Sequence, residues 1–218
     1  SELPARSQHL LTKIFDDGDD VTVRELVRRR DANATRAALL AAASSRFANE
    51  AYDSVSLRSI ASDAGVDVSL VSRYFGGKED LILAAMRHQL VQLGRSVREA
   101  MAKAETPRAR ISAIIAANFD ATQFSAETVS CWLNFYVKAQ ESAPAARLLR
   151  VYVRRLRSNL ICSLRPLSPL NAERIAEGIG AMIDGAYLRQ GLSDRPPNRQ
   201  AAIAMVEDYV ELSLRSAT

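Results

Sequence analysis

Two short helices around a glycine turn, followed at once by a third helix, are written into residues 54–83, SVSLRSIASDAGVDVSLVSRYFGGKEDLIL. Ser56 is placed to cap the first helix, because its hydroxyl can accept from a free backbone N–H of the opening turn. Leu57, Ile60, Ala61 and Ala64 recur at helical spacing and give this helix one apolar face. Gly65 ends it, since the left-handed conformation needed there is cheap only for glycine. Val66 is expected as a buried plug, and Asp67 or Ser69 as the cap of the next helix, Val68 to Phe75. Gly76-Gly77 stops that helix. The unit is a helix-turn-helix, whose second helix can enter the major groove of a duplex.

The rest of the chain also reads as helix. Only 9 glycines and 7 prolines punctuate its 218 residues, and long runs rich in Ala, Leu and Arg separate them. With 48% apolar residues the chain can bury the core of one domain, or of a small domain joined to a larger one. No stretch is long and apolar enough to span a bilayer and no signal peptide is read, so a cytoplasmic protein without a membrane partner is expected. Cys131 and Cys162 lack metal-ligand spacing and are expected as small core residues; no metal or cofactor is expected. A net charge of +4 permits nucleic-acid binding without requiring it. The only histidines are His9 and His88, and neither a nucleophile elbow nor a phosphate-binding loop occurs, which argues against an enzyme.

Residues 1–32 form an N-terminal extension. Val23, Leu26 and Val27 fall on one side of a short amphipathic helix. Arg24 and Arg28 to Arg30 make a basic arm suited to phosphates or a minor groove, unless the segment is only a partly ordered leader. A helix from Ala34 to Asn49 carries Leu39, Leu40, Ala43 and Phe47 on one face, and Ala51-Tyr52-Asp53 turns it into the helix-turn-helix; residues 33–79 then close as a three-helix domain. Residues 80–218 are expected as long helices, at Lys78–Lys103, Pro107–Phe124, Ala126–Gln140, Pro144–Arg165, Asn171–Gln190 and Asn198–Arg215. The fold class is therefore all-α.

These motifs carry a resemblance. F-x-x-x-x-Y-x-x-x-S-L-R-S-I-A-x-x-A-G-V, then S-x-x-x-R-Y-F-x-x-K-E-D-L, resembles the DNA-binding region of the TetR family of bacterial repressors, over residues 35–83. Ala51, Ser69 and Ser72 depart from residues common in the family. The resemblance implies a TetR-like fold: an N-terminal DNA-binding domain, a C-terminal helical domain for ligand binding and dimerisation, and a homodimer. Further on, N-F-D-A-T-Q-x-S (118–125), W-L-x-F-Y (132–136), R-R-L-R-S-N-L (154–160) and M-I-D-G-A-Y-L-R (182–189) resemble the family's BetI branch, choline-responsive repressors of glycine-betaine synthesis. Tyr136 and Tyr187 stand where that branch tends to have tryptophan.

For DNA, the exposed side of Val68–Phe75 offers Val68, Ser69, Ser72 and Arg73, with Tyr74 at its end. Arg73 can pair with guanine O6 and N7, and Val68 can touch a thymine methyl. Ser72, Tyr74 and Lys78 suit phosphates, and Ser56 and Arg58 lie at the start of the preceding helix. Phe75 reads as core. One such unit covers few base pairs, so a dimer on an inverted-repeat double-stranded operator is expected.

For an effector, a choline-like cation needs aromatic faces and a carboxylate. Trp132, Phe135 and Tyr136 lie within one and a half helical turns, and Tyr187 follows Asp184 on one face. Asp120 and Asp184 sit in apolar surroundings, and Asn118 and Gln123 can orient a hydroxyl or aldehyde. Other readings stand beside this one. Aromatics at this spacing also build cores, and Asp184 can pair with Arg189 or Arg154 or cap a backbone. The effector can equally be another amphipathic or aromatic small molecule. Ile175, Ile179, Met182, Ile183 and Ala186, with Ile203, Val206, Val210 and Leu212, make two apolar faces that, the resemblance implies, meet a second copy in a four-helix bundle, unless both helices bury this surface within one chain. Gly178, Gly180, Ala181 and Gly185 allow close helix approach.

Overall fold

A computed structural model describes the backbone of residues 5–50 and 54–216, with side chains from residue 25 onward except residue 27. Nine helices and no strand occur among the described residues. They are α1 (Ala5–Asn49), α2 (Leu57–Asp63), α3 (Val68–Phe75), α4 (Lys78–Ala102), α5 (Pro107–Asn118), α6 (Ala126–Glu141), α7 (Ala143–Leu164), α8 (Ala172–Gly191) and α9 (Arg199–Arg215).

The helix expected from Ala34 is the end of a longer one, since α1 already begins at Ala5. Between those points only Gly18 disfavours helix, and one glycine costs about 1 kcal/mol without terminating it. Arg28, Arg29 and Arg30 are exposed along it. The side chains of Val23, Arg24 and Val27, and the turn at 51–53, lie outside the described residues.

Around α2 and α3 the local chemistry sets the geometry. Ser56 accepts from the Ser59 amide, and Ser59 returns the bond to the Ser56 amide, a reciprocal cap on α2. Gly65 has φ of +66°, the left-handed value the turn requires. Asp67, not Ser69, caps α3, accepting from the Ser69 amide at 2.8 Å. Val66 is half-buried, packed on the core's edge rather than sealed in it. Leu39, Leu40, Ala43 and Phe47 of α1 join Ile60, Val71, Leu81 and Ile82 in one core. Arg46 pairs with Asp63 and so ties α1 to α2.

The second half is built around α4, which runs on from the helix-turn-helix and packs against α1, α5 and α7. Helix α6 lies between the halves. One side faces α7 and α8, the other α1, where the Asn134 amide donates to the Phe47 carbonyl. Arg108 of α5 reaches Glu207 at 2.6 Å and Glu211 at 2.8 Å, joining α5 to α9. Gly178 lets α9 close on α8: a Cβ there would collide with the Tyr209 hydroxyl.

Three further sequence expectations need correction. The helix expected to reach Phe124 ends at Asn118, because the Asp120 carboxylate accepts from both the amide and the hydroxyl of Thr122 and folds a turn. Cys162 is exposed, whereas Cys131 is buried and its thiol is pushed up to about 12 by that burial. Ile175, Ile179, Ile183, Val206 and Val210 pack inside the chain instead of forming an outer face.

Candidate functional site

Helix α3 presents Val68, Ser69, Ser72 and Arg73 to solvent, one polar face eight residues long with one valine on it. Val71 on the opposite side is fully buried and anchors the helix. The Arg73 guanidinium lies 5.5 Å over the Tyr74 ring, so its planar fork is held at the end of the helix. Tyr74 itself is half-buried, and Phe75 packs on the core beneath the Arg36 guanidinium. Ser56 and Arg58 are exposed at the start of α2. Lys78 opens α4, and its N-cap Gly77 supplies no side-chain bond. Hydrogen bonds from Ser69 hold the Asp67 carboxyl below its ordinary range.

A second constellation forms between α5, α6, α7 and α8. Trp132 is buried and its ring stands 5.5 Å from Phe135, 5.9 Å from Tyr136, 5.0 Å from Tyr152 and 6.0 Å from Tyr187. Phe119 and Phe124 continue the cluster behind Tyr187. The Tyr136 hydroxyl donates to Asp184 at 3.0 Å. The Tyr187 hydroxyl reaches the carbonyls of Asn118 at 2.6 Å and Gln123 at 3.0 Å, pinning both ends of the α5–α6 connection to α8.

Asp184 is the anomaly in this apolar setting. Among the described residues no Lys or Arg lies within 4.0 Å of it, so the pairing expected with Arg189 or Arg154 does not occur. Burial raises its pKa and outweighs the opposing Tyr136 bond, with a smaller upward push from Glu177. Its negative charge adds to burial in holding the phenols of Tyr136, Tyr152 and Tyr187 protonated. The indole N–H of Trp132 and the side-chain carbonyl of Gln123 are buried without a hydrogen-bond partner among the described residues. Such orphaned groups cost free energy unless something supplies a partner.

Beside this cluster opens a cavity of about 320 Å³ between α4, α5 and α7. Its walls include Leu93, Val97, Val151 and Leu156, with Asn118 and Tyr152 at the cluster side. Asn118 and Tyr152 touch, hydroxyl to side-chain carbonyl, at 3.5 Å. Tyr152 is thus the wall shared by cavity and cluster.

Of the effector residues expected from sequence, Trp132, Phe135, Tyr136, Asp184 and Tyr187 are brought together, and Asn118 joins them to the cavity. Asp120 is not: its carboxylate turns to Thr122 and lies 3.9 Å from Arg199, and hydrogen bonds from Thr122 hold it below the ordinary range. Tyr152 was missed. It precedes Leu156, Leu160 and Leu164 at steps of four along α7, and a phenol at the head of an apolar stripe was the available signal.

A protruding polar helix joined through α4 to a helical half with a cavity defines a DNA-binding regulator of transcription. Residues 39–85 match the tetR family of bacterial regulatory proteins, and residues 107–215 match the C-terminal region of BetI-type transcriptional repressors. The HTH-type transcriptional regulator BetI of Brucella anthropi is 54% identical over 161 residues, covering 73% of this chain and 83% of that protein. The regulator of the same name from Rhizobium meliloti is 47% identical over 182 residues, covering 83% and 90%. Among solved structures, a transcriptional regulator of Pseudomonas aeruginosa PAO1 superposes with a TM-score of 0.73 at 24% identity, covering 84% of this chain and 91% of that one. One from Saccharomonospora viridis, solved in complex with choline, gives 0.69 at 17% identity, covering 81% and 95%. The chain belongs to the TetR family, with a C-terminal half of BetI type, and is a DNA-binding repressor.

Proposed function

We propose that this repressor binds an inverted-repeat operator as a homodimer and that a quaternary ammonium compound such as choline shifts it off that operator. The observation that carries the effector reading is Asp184, a largely buried carboxylate without a cation partner among the described residues, amid Trp132, Tyr136, Tyr152 and Tyr187. A quaternary cation donates no hydrogen bond and is held by ring faces and by charge, each aromatic contact contributing about 0.5–2 kcal/mol. The orphaned Trp132 N–H suits the oxygen of an alcohol or aldehyde. The regulator of similar fold from Saccharomonospora viridis, solved in complex with choline, supports this reading.

On the DNA side, Arg73 reads guanine, Val68 reads a thymine methyl, and Ser56, Arg58, Ser69, Ser72, Tyr74 and Lys78 hold the backbone or groove edge. Dimerisation is supported by an outward apolar stripe on each of the last two helices. Ala181, Gly185 and Leu188 line one side of α8, continued by Leu192 just past its end, and Met205 and Leu212 one side of α9, with Leu212 64% exposed. Helix α8 is apolar on both sides, the pattern of a helix buried in an assembly. Effector binding shifts the spacing of the two α3 helices, with α4 as lever and α6 as the link from Trp132 to α1. The chain works in the cytoplasm and without catalysis.

The cavity's apolar wall favours a second reading, in which the effector is a different amphipathic molecule. Titration with choline and betaine aldehyde, followed by the fluorescence of Trp132, separates the two. A saturable change is expected; silence towards every quaternary ammonium compound would leave only the second reading.

A further inference from the structure

The quaternary ammonium reading leaves two arginines unused. Arg98 of α4 and Arg155 of α7 line the same cavity as Tyr152, and Asn159 lies there with them. An Arg98 guanidinium nitrogen stands 3.5 Å from where a Cβ at Gly94 would be, so the side chain is folded back along α4 over a residue that itself lines the cavity. Among the described residues no carboxylate lies within 4.0 Å of either guanidinium, whereas Arg46, Arg108 and Arg157 all reach one. Both side chains are exposed, so solvent screens them, yet two guanidinium groups lining one cavity still disfavour a cation there and favour an oxyanion, which accepts from their planar donor forks. Arg150 and Arg154, exposed on α7, add to the positive field there.

The cavity thus carries two kinds of electrical lining. Arg98 and Arg155 line it from α4 and α7, and Tyr152, whose phenol feels the Asp184 charge, lines it as well. Leu93, Val97 and Leu156 in the same lining suit methylenes.

We propose that the effector is zwitterionic, a quaternary ammonium compound whose far end carries an oxyanion held by Arg98 and Arg155. This rests on the quaternary ammonium reading and narrows it: choline, ending in an alcohol, leaves the arginine pair unanswered.

Calorimetric titration of the full chain with choline, glycine betaine and phosphocholine tests the proposal, with Arg98→Gln/Arg155→Gln beside the native chain. A quaternary ammonium oxyanion should bind about tenfold or more tightly than choline to the native chain. Which of the two oxyanions does so distinguishes a carboxylate from a phosphate and gives the spacing. In the double variant that oxyanion should weaken about tenfold or more, while choline holds or tightens because a repulsive charge has gone. Opposite signs are the signature, since a merely structural role would move both the same way; thermal unfolding confirms that the variant folds. Equal affinity for choline and both oxyanions, or an oxyanion advantage that survives in the variant, overturns the proposal alone. No response to any of the three overturns the quaternary ammonium reading beneath it.

Discussion

Asp184→Asn separates charge from shape at the aromatic cluster. Asparagine keeps the size of the side chain and a carbonyl oxygen for the Tyr136 hydroxyl, which donates at 3.0 Å. Only the charge is lost. A quaternary nitrogen stays about 5 Å from a carboxylate oxygen because its methyl groups intervene. At that distance and an effective dielectric constant of about 20, a unit pair is worth roughly 3 kcal/mol, or about two powers of ten in affinity. Choline binding to Asp184→Asn, measured by Trp132 fluorescence, should therefore weaken about a hundredfold. Stability should move the other way. Burial raises the Asp184 pKa above 3.8, so the folded chain binds this proton more tightly than the unfolded chain. The stability the group contributes is present below its unfolded value and lost as pH rises through its folded one. Asparagine has no such loss, so the variant's thermal midpoint relative to the native chain should climb as pH rises from below 3.8 towards neutrality. The same pH range should strengthen choline binding to the native chain and leave the variant flat. Choline affinity unchanged within about threefold would refute the reasoning, because the charge would then not be felt at the cation.

Arg73→Ala should relax preference at one base position of the operator at a cost of about 1–3 kcal/mol, whereas Lys78→Ala should weaken all sequences alike; competition binding across a degenerate site library reads both. Tyr187→Phe removes the donor that holds the carbonyls of Asn118 and Gln123, and calorimetric unfolding should show a loss of about 1–3 kcal/mol, or about 2–4 °C for each. Leu188→Glu places a charge on the outward stripe of α8 and should yield monomers by sedimentation, with folded helix content retained.

The helix-turn-helix was legible because its rules are short-range. Ser56, Gly65 and Gly76 each act on backbone within a turn, and the structure places all three as that logic requires. Only Asp67 against Ser69 stayed open, since both can cap and geometry alone decides. The aromatic cluster was half legible. Trp132, Phe135 and Tyr136 share one helix, and Asp184 and Tyr187 another, so periodicity reveals each group. Tyr152, Arg98 and Arg155 come to one cavity only through packing across α4 and α7, which leaves no local trace. Asp120 misled because Phe119 and Phe124 imitate a continuing apolar stripe; the informative signal was Asp followed two residues later by Thr, the makings of a turn. Helix α8 misled differently. Its inward isoleucines are the stronger apolar signal, so the outward Leu188 and Leu192 were overlooked.

Operator release by a matched pair of ligands is the most direct test: anisotropy of a labelled inverted-repeat duplex with the native chain, titrated with choline and with its uncharged carbon isostere, 3,3-dimethylbutan-1-ol. Shape and apolar surface are the same in both; the positive charge is not. Choline should release the duplex at concentrations about a hundredfold below any effect of the isostere. Equal potency of the two, or no release by choline at saturation of the Trp132 signal, would contradict a repressor governed by a cation at Asp184.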